Sequence, residues 1–559
     1  MTPDRSPSTA SSPFRFGGDW WQRGVVYQIY PRSFADGNGD GVGDLAGLIA
    51  RLDDLNDGTE RSLGIDAIWL SPIYPSPGFD VGYDVADYTD IDRLFGRLAD
   101  FDRLVDEAHA RGIRVILDMV LNHSSSQHPW FVASRSSRDD PQADWYIWRD
   151  AAGRDWRGRP RRPNNWVSFF GGPAWTWDER RGQFYLHTFL PEQPDLNWRD
   201  PAVRKALLDV IRFWLERGVD GFRFDVFNAF YKHPDLPSNP RRFPGGRRAY
   251  SRQEHRFDKN QPDLQGLLAE VRSTLDAVPG RMTVGELFEG QPALAAAYTE
   301  PRHLVFDFRL IEQPWRAAAF VRAIEERERA FGQERWPTVV LSNHDRSRHA
   351  SRFDRDGLGD ARARVAAVLL LTLRGTPFLY YGEEIGLRDV PIPPGEAVDP
   401  PARRSGVLSP WWNRDQARAP MPWNDGPNAG FTTGSPWLRM APDGATRNVA
   451  RQAADPGSLL SLYRRLVWLR RTLPALQVGD MEWAATGTDG ALAYVRRTAG
   501  QTVLVALNFE PRPVVVQLAD ITAAGRWRTL ISTHDEPREG HLGSRLGLRP
   551  LEAIVFEAE

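Results

Sequence analysis

Eight short apolar runs, separated by stretches with helical periodicity, most constrain how this 559-residue chain can fold. Each run is nearly continuously hydrophobic, which is typical of strands that are buried on both faces of a parallel sheet. The runs start at Gly24, Ile65, Arg114, Asp220, Met282, Leu304, Thr338 and Thr376. Eight parallel strands that alternate with helices predict an α/β fold of the TIM-barrel type, (β/α)8.

The stretches between the runs have the spacing and end signals of amphipathic helices. One of them ends at Gly112, a residue type that commonly follows the last helical turn. Another begins with Pro201, which is favoured in the first turn, and ends at Gly218. Both stretches therefore support the alternation of strand and helix.

Two irregular insertions and a change of pattern near the C-terminus indicate further domains. Insertions of this length in a compact protein are usually functional lids or subdomains. Beyond residue 482 short strands and turns predict an antiparallel domain. We expect a disordered lead over 1–18, the barrel over 19–123 and 197–481, an inserted subdomain over 124–196 after strand three, a lid-like insertion over 385–435 after strand eight, and a C-terminal antiparallel β-sandwich over 482–559.

Composition limits the partners that such a chain can have. The formal net charge is −2, so no global field draws the protein to nucleic acid or to an anionic membrane. The chain has no cysteine, which excludes disulfides and thiolate catalysis. The N-terminal segment has no apolar core, and no run reaches the roughly 18 apolar residues of a membrane span. We therefore expect a cytoplasmic protein.

Polar side chains come directly after five of the predicted strands. In a TIM barrel the active site lies at this carboxyl end of the strands. They are Asn122, His123, Asp225, Glu286, His344, Asp345, Glu383 and Glu384. Cleavage of a glycosidic bond requires two carboxyl groups on opposite sides of the anomeric carbon. Asp225, Glu286 and Asp345 end three different strands and can converge over one point at the barrel mouth.

Five motifs then occur in order, namely DMVLNH, QPDLNW, GFRFDVFN, VGELFE and LSNHD. With them the chain resembles the α-amylase family of glycoside hydrolases (family 13), in its oligo-1,6-glucosidase and α-glucosidase branch, from about residue 20 to the C-terminus. The resemblance implies a retaining, exo-acting α-glucosidase. Such an enzyme hydrolyses or transfers terminal α-linked glucose from short oligosaccharides or sucrose-type glucosides through a covalent glucosyl-enzyme.

The resemblance also implies roles for the carboxylates. Asp225 would be the nucleophile, and Glu286 the general acid and then the base. Asp345 would hold the 2- and 3-hydroxyls and stabilise the transition state. Arg223 would keep Asp225 ionised through a charge-assisted hydrogen bond. Asp118 is similar to a supporting carboxylate of the family, and a buried ion-pair partner is the alternative.

Further residues are expected around the same glucose. The resemblance implies that Asp80 binds the 4- and 6-hydroxyls and that Tyr83 forms the aromatic platform under the sugar. It also implies that the site is closed at one end. His123 and His344 would bind ring hydroxyls. Arg418, in QARAPMPW, would line the pocket near the cleaved bond, with a surface arginine as the alternative.

Val226 follows the proposed nucleophile. In the enzymes that the chain resembles, valine at this position occurs in those that act on α-1,6-linked or sucrose-type substrates. Alanine or threonine occurs in those that act on α-1,4-linked ones. The effect is small, because one methyl group in a pocket changes discrimination by about 1–3 kcal/mol. The Arg-rich segment 228–262 is expected to form a loop over the pocket, and its charge fits a solvated surface better than an anion site.

The sequence DGNGDGVGD spaces oxygen ligands as the first part of an EF-hand loop does, with glycine at the sixth position. The candidate ligands are Asp36, Asn38, Asp40, the carbonyl of Val42, and Asp44. In the family that the chain resembles, a similar loop holds a structural Ca²⁺, so we expect Ca²⁺ or Mg²⁺ here and no cofactor for the chemistry. A solvated turn is the alternative.

Functions other than hydrolysis of an α-glucoside would use either the same catalytic residues or none of them. A transglucosidase, or an isomerase of sucrose or trehalose, would keep the carboxylates and change the acceptor. A non-enzymatic, transporter-associated relative would lack part of the carboxylate set and carry a membrane segment, and this chain shows neither feature. The expected partner is an oligosaccharide or disaccharide. Linkage preference and oligomeric state stay open.

Overall fold

The computed structural model of the protein describes residues 20–287, 291–300, 303–405, 413–518, 526–534 and 542–559. The lead over 1–18 that we expect to be disordered lies outside the described residues.

The described chain contains eighteen strands. The first eleven are β1 (Val26–Ile29), β2 (Ala67–Leu70), β3 (Arg114–Met119), β4 (Trp148–Arg149), β5 (Trp175–Asp178), β6 (Gln183–Leu186), β7 (Gly221–Phe224), β8 (Met282–Gly285), β9 (Leu304–Val305), β10 (Thr338–Val340) and β11 (Thr376–Tyr380). The others are β12 (Asp480–Ala484), β13 (Ala491–Thr498), β14 (Gln501–Asn508), β15 (Val514–Gln517), β16 (Trp527–Ser532), β17 (Arg545–Leu548) and β18 (Ala553–Ala558).

Eight of these strands form one parallel sheet in the order β10-β11-β1-β2-β3-β7-β8-β9. Each of the eight predicted apolar runs contains one of them, and the predicted TIM barrel is confirmed. The two end strands, β9 and β10, are joined through a side chain, since the Thr338 hydroxyl donates to Val305 O (3.3 Å) and accepts from Asp307 N (3.2 Å). These bonds complete the ring.

Helices surround the barrel strands and support their ends. They are α1 (Trp20–Arg23), α2 (Leu45–Ile49), α3 (Leu52–Leu55), α4 (Leu98–Ala110), α5 (Pro129–Ser136), α6 (Pro201–Glu216), α7 (Leu264–Asp276), α8 (Pro292–Thr299), α9 (Arg309–Glu312), α10 (Ala317–Phe331), α11 (His349–Arg352), α12 (Gly359–Thr372), α13 (Pro400–Ser405), α14 (Val449–Ala453), α15 (Leu459–Thr472) and α16 (Pro474–Val478). Among the described helices, none combines the length and apolarity that crossing a bilayer requires.

Helix α6 shows how the sequence sets a helix against the barrel. Asp200 accepts a hydrogen bond from Ala202 N (2.7 Å), so it caps the first turn, and the proline after it needs no donor there. Leu207, Ile211 and Trp214 follow at spacings of four and three residues and are buried. This stripe packs the helix against the barrel and leaves the opposite face to solvent.

The insertion after β3 carries a small antiparallel sheet of order β4-β6-β5. The C-terminal region holds a five-stranded sheet, β12-β13-β14-β18-β16, and the pair β15–β17. The two sheets share one hydrophobic cluster, in which Val516 and Leu546 pack with Leu504. Trp315 stacks on Phe509 (4.4 Å between ring centres), which attaches this region to the barrel.

Candidate active site

The three predicted carboxylates lie together at the carboxyl ends of the barrel strands. Asp225 follows β7 directly and Glu286 follows β8, and their backbone amides donate to Met119 O (3.0 Å) and Phe224 O (2.8 Å). These bonds continue the barrel ladders by one residue. Asp225, Glu286 and Asp345 line one cavity of about 470 Å³. Glu383 and Glu384 do not line it, within the described residues, and are buried after β11 instead.

A single buried guanidinium binds the carboxylates beneath the cavity. Arg223 Nη1 lies 2.7 Å from Asp225 Oδ1 and 2.7 Å from Asp118 Oδ1. Its Nη2 donates to Glu286 Oε2. The Arg223 side chain is 1% exposed, so these contacts form away from water, where charge pairs are strong. The contact with Asp225 agrees with the prediction, whereas the contact with Glu286 was not predicted.

The protonation of this cluster follows from burial. Burial raises the pKa of Asp225 well above its ordinary value against the opposing charge of Arg223, and the neighbouring Glu286 raises it further through charge and a hydrogen bond. Burial likewise raises the pKa of Asp118 to about 6, with Arg223 opposing. The raised pKa of Asp225 therefore reflects both its burial and the Glu286 carboxyl beside it.

Asp345 is held from two sides by arginines. Its Oδ1 accepts from Arg414 Nη1 (3.0 Å) and from Arg418 Nη2 (3.1 Å). Burial acts against ionisation, but His344 and the two arginines hold the pKa of Asp345 well below its ordinary value. Arg418 is fully buried behind Asp345, and among the described residues Arg414, four residues earlier, forms the cavity wall instead. The expectation that Arg418 lines the pocket is therefore corrected.

Asp80 closes the same end of the cavity. Arg414 Nη2 donates to Asp80 Oδ1 (2.7 Å), and Nε of the same arginine donates to Asp399 (2.8 Å). Burial raises the pKa of Asp80 to about 6, although Arg414 opposes the rise. Gln193, from the QPDLNW motif, donates to Asp80 Oδ2 (3.2 Å) and contacts His123 Nε2 (3.1 Å). Neither Gln193 nor Arg414 was predicted from the sequence, since nothing in their spacing shows that they reach this carboxylate.

Tyr83 and His344 form a stacked pair, with rings 3° from parallel and 5.5 Å apart. Burial lowers the pKa of His344 to about 3, so the ring is neutral. Its Nδ1 accepts from Gln28 (2.7 Å), so Nε2 carries the proton and donates to the Tyr83 hydroxyl (2.7 Å). Tyr83 in turn donates to Asp118 (3.1 Å). Tyr83 lines the cavity and His344 supports it from behind.

His123 lines the cavity, and its ring nitrogen Nε2 lies 3.0 Å from Tyr83 O. Burial lowers the pKa of His123 to about 4, so the ring is neutral, with one nitrogen that donates and one that accepts.

Val226 has an unusual backbone conformation beside the nucleophile, with φ 33° and ψ 40°. A β-branched residue in the left-handed region is strained, and such strain is concentrated at functional sites. The Val226 side chain lines the cavity, as do Phe169, Phe170 and Phe189 from the inserted subdomain. The subdomain therefore supplies an apolar part of the cavity wall.

The candidate metal loop folds around its own side chains. Asp36 accepts from three backbone amides, Asn38 from Asp40 N (2.8 Å), and Asp40 from Val42 N (2.9 Å). Asp44 caps α2. The bonds use one oxygen of Asp40 and one of Asp44, so the second oxygens can bind a cation. Among the described residues, no three or more acidic, cysteine or histidine side chains are grouped as metal ligands, and this includes the carboxylates of the loop.

Comparison with known proteins places these observations in a family. A model of the α-amylase catalytic domain matches residues 28–479, and one of the maltogenic amylase C-terminal domain matches residues 482–555. A probable α-glucosidase of Rhizobium meliloti (strain 1021) is 42% identical, with 93% of this chain and 94% of that protein covered. An oligo-1,6-glucosidase of Parageobacillus thermoglucosidasius is 37% identical, with 96% and 99% covered.

A solved structure similar to this one is that of an α-glucosyl transfer enzyme, XgtA. It superposes with a TM-score of 0.88 at 40% identity, and the match covers 97% of this chain and 99% of that one. The matches extend over the barrel, the insertion that bears the aromatic wall, and the C-terminal sheets. The chain belongs to the α-amylase family of glycoside hydrolases, in the branch that contains α-glucosidases and oligo-1,6-glucosidases.

Proposed function

We propose that this protein is a retaining, exo-acting α-glucosidase that removes terminal α-linked glucose from short oligosaccharides or sucrose-type glucosides. The observation that carries the proposal is the single guanidinium of Arg223 in contact with both Asp225 and Glu286, beneath a cavity that Asp345 also lines. Two carboxyl groups held side by side at the reacting carbon suit the double displacement of a retaining enzyme.

In the proposed reaction Asp225 attacks the anomeric carbon and forms a covalent glucosyl ester, while Glu286 gives its proton to the departing oxygen. Glu286 then takes a proton from water, which attacks the ester and frees Asp225. This step requires an ionised Asp225 and a proton on Glu286 when the substrate arrives, and the contact of Arg223 Nη1 with Asp225 Oδ1 stabilises the ionised nucleophile. Asp345, kept ionised by Arg414 and Arg418, would hold two ring hydroxyls.

The closed end of the cavity supports exo action. Asp80 and Arg414 are joined by an ion pair of 2.7 Å, and Tyr83 stacks on His344 beside them. A glucose unit that binds these groups through its 4- and 6-hydroxyls has no room for another sugar beyond it. The substrate would therefore enter with its non-reducing end first.

The first test is the pair Asp225→Ala and Glu286→Gln, assayed on 4-nitrophenyl α-glucoside. Glu216→Gln, an exposed residue at the end of α6, is the control. We expect both active-site variants to lose about 10³-fold or more in kcat, as removal of a catalytic nucleophile or acid does. Normal turnover in either variant would contradict the proposal. NMR of the freshly released glucose should show the α-anomer, and the β-anomer would exclude retention.

A transglucosidase with the same catalytic residues is the second candidate, favoured by the likeness to the α-glucosyl transfer enzyme. A product time course with isomaltose, maltose, sucrose, trehalose and kojibiose separates the two. Glucose released first supports the hydrolase, and isomaltose or sucrose as the best substrate supports the interpretation of Val226. New oligosaccharides or isomers that precede free glucose support transfer.

We also propose that the loop from Asp36 to Asp44 holds a structural Ca²⁺. Hard cations bind carboxylate and carbonyl oxygens, and Asp40 and Asp44 each have a carboxylate oxygen besides the Oδ1 that accepts from loop amides. The ion would stabilise the loop and take no part in the chemistry.

A further inference from the structure

A buried aspartate behind the cavity wall holds the arginine that reaches Asp80 and Asp345. Asp399 is 0% exposed, directly precedes α13, and is not one of the described residues that line the cavity. Its Oδ1 accepts from Arg414 Nε (2.8 Å) and lies 2.7 Å from Arg414 Nη2. Its Oδ2 accepts from Arg414 N (2.9 Å). One carboxylate thus binds both the side chain and the backbone of Arg414.

The guanidinium of Arg414 uses different edges for Asp399 and for the acids of the cavity. The side edge, formed by Nε and Nη2, faces Asp399. At the end edge, Nη1 donates to Asp345 Oδ1 (3.0 Å) and Nη2 donates to Asp80 Oδ1 (2.7 Å). The ring of Phe170 covers one face, with its centre 5.3 Å from Cζ. Because the guanidinium is planar and rigid, a fixed side edge also fixes the direction of the end edge.

Asp399 is itself fixed by the residue that follows Arg414. Asp415 Oδ2 accepts from Val398 N (2.8 Å) and from Asp399 N (3.0 Å). Each of the two short segments therefore binds the backbone of the other through an aspartate. The Asp399 carboxylate is thereby held in one place relative to the backbone of Arg414.

The negative charge of Asp399 decides how Arg414 divides its hydrogen bonds. An arginine pairs best with a carboxylate through two parallel N–H···O bonds. With its side edge on Asp399, Arg414 gives only one such bond to Asp80 and one to Asp345. Both cavity acids thus keep lone pairs for the hydroxyls of a sugar. Without the charge of Asp399, Arg414 would be free to turn its end edge fully onto one of them and to withdraw that acid from the sugar.

We propose that Asp399 is a positioning residue that sets the selection of the terminal glucose, because it holds Arg414 in the one orientation that leaves Asp80 and Asp345 available to the sugar. This inference rests on the proposed function and deepens it. It assigns selection for the 4- and 6-hydroxyls in part to a buried carboxylate that acts only through Arg414.

The first test is a double-mutant cycle on 4-nitrophenyl α-glucoside with Asp399→Asn, Arg414→Gln and the double variant. Asp399→Asn should lower kcat/KM about tenfold or more in the wild-type background, since small displacements in an active site are costly. In the Arg414→Gln background the same change should cost less than about twofold, because its effect passes through Arg414. An equal loss in both backgrounds would overturn the inference. If the wild type does not turn over this glucoside at all, the proposed function fails first.

Competitive inhibition by glucose and by xylose, which lacks the 6-hydroxymethyl group, measures the selection itself. The wild type should bind glucose about tenfold more tightly than xylose, as expected for a hydrogen bond to a charged group. In Asp399→Asn this ratio of inhibition constants should fall to about threefold or less. A general loosening of the fold would weaken both sugars alike, so a ratio that Asp399→Asn leaves unchanged, or a wild-type ratio near one, would overturn the inference.

Asp178→Asn is the matched control. Asp178 of β5 is also buried, binds the side chain of Arg135 and accepts from one backbone amide, Arg181 N (2.9 Å). It is not one of the described residues that line the cavity. Its asparagine variant should therefore keep the wild-type ratio of inhibition constants, and a ratio that falls as it does in Asp399→Asn would overturn the inference.

Thermal unfolding tests the pairing even where Asp399→Asn alone folds poorly. Arg414→Gln leaves the Asp399 carboxylate buried, with Arg418 Nη1 at 4.0 Å as its remaining partner among the described side chains. A buried charge that has lost its partner is strongly destabilising. Adding Asp399→Asn should therefore raise the Tm of the Arg414→Gln variant, and a further fall in Tm would overturn the inference.

Discussion

Two buried glutamates that follow a barrel strand should make the stability of this protein depend on pH. The variant Glu383→Gln isolates the contribution of one of them. Glu383 and Glu384 follow β11 and are 2% and 4% exposed. Burial raises the pKa of Glu383 from 4.5 to about 8 and that of Glu384 to about 7. Glu383 Oε2 accepts from Tyr380 N (3.1 Å), a bond that glutamine can keep.

The sign follows from proton binding. Between pH 4.5 and about 8 the folded protein holds the Glu383 proton and the unfolded chain does not. This stabilisation is therefore complete below pH 4.5 and is lost as the pH rises to about 8. At about 1.4 kcal/mol per pH unit the loss is about 5 kcal/mol. With about 2.1 cal/mol/K of unfolding entropy for each of 559 residues, this corresponds to about 4 °C in Tm.

Thermal unfolding of wild type and Glu383→Gln, followed by circular dichroism at one scan rate from pH 5 to pH 8.5, measures the difference. We expect equal Tm values near pH 5 and a variant more stable by up to about 4 °C at pH 8 and above. Glu334→Gln, on the surface, should show no such trend. A Tm difference that stays flat across this range, or one that favours the wild type at high pH, would refute the argument.

Three further predictions concern the cavity and the loop. Arg414→Gln removes a buried partner of Asp80 and of Asp345, so kcat/KM on a neutral glucoside should fall by about 10²-fold or more, measured beside a thermal scan that checks folding. Because the pKa of Asp80 is about 6, glucose binding should weaken as the pH falls through 6, and a pH profile of kcat/KM in Asp80→Asn should lack this component. Chelation with EDTA should lower the Tm by a few degrees without changing kcat at 25 °C, and added Ca²⁺ should restore it, whereas an unchanged Tm would leave the Asp36 loop as a simple turn.

The fold followed from the sequence because each barrel strand is a compact apolar run, and burial on both faces is visible in composition alone. The positions of Asp225 and Glu286 followed for the same reason, since both come directly after such runs. Arg414 did not, because it begins a single 3₁₀ turn, Arg414–Arg418, and one turn is too short for the sequence to show which of its two arginines faces the cavity. The position of Gln193 did not follow from the sequence either, because its hydrogen bond to Asp80 joins residues 113 positions apart. Single turns and irregular segments have no repeating pattern of apolar residues from which the direction of a side chain can be inferred.

The charges of the site fit the reaction when they are added together. In the proposed reaction the ionised nucleophile Asp225, and Asp118 above its pKa of about 6, carry two negative charges around the single positive charge of Arg223. The remaining negative charge lies where the anomeric carbon becomes positive in the transition state, so it stabilises that state more than the neutral substrate. Asp345 adds little to this balance because two arginines neutralise it, and its contribution is to hold hydroxyls. The inner cavity thus suits a neutral sugar that becomes cationic in the transition state.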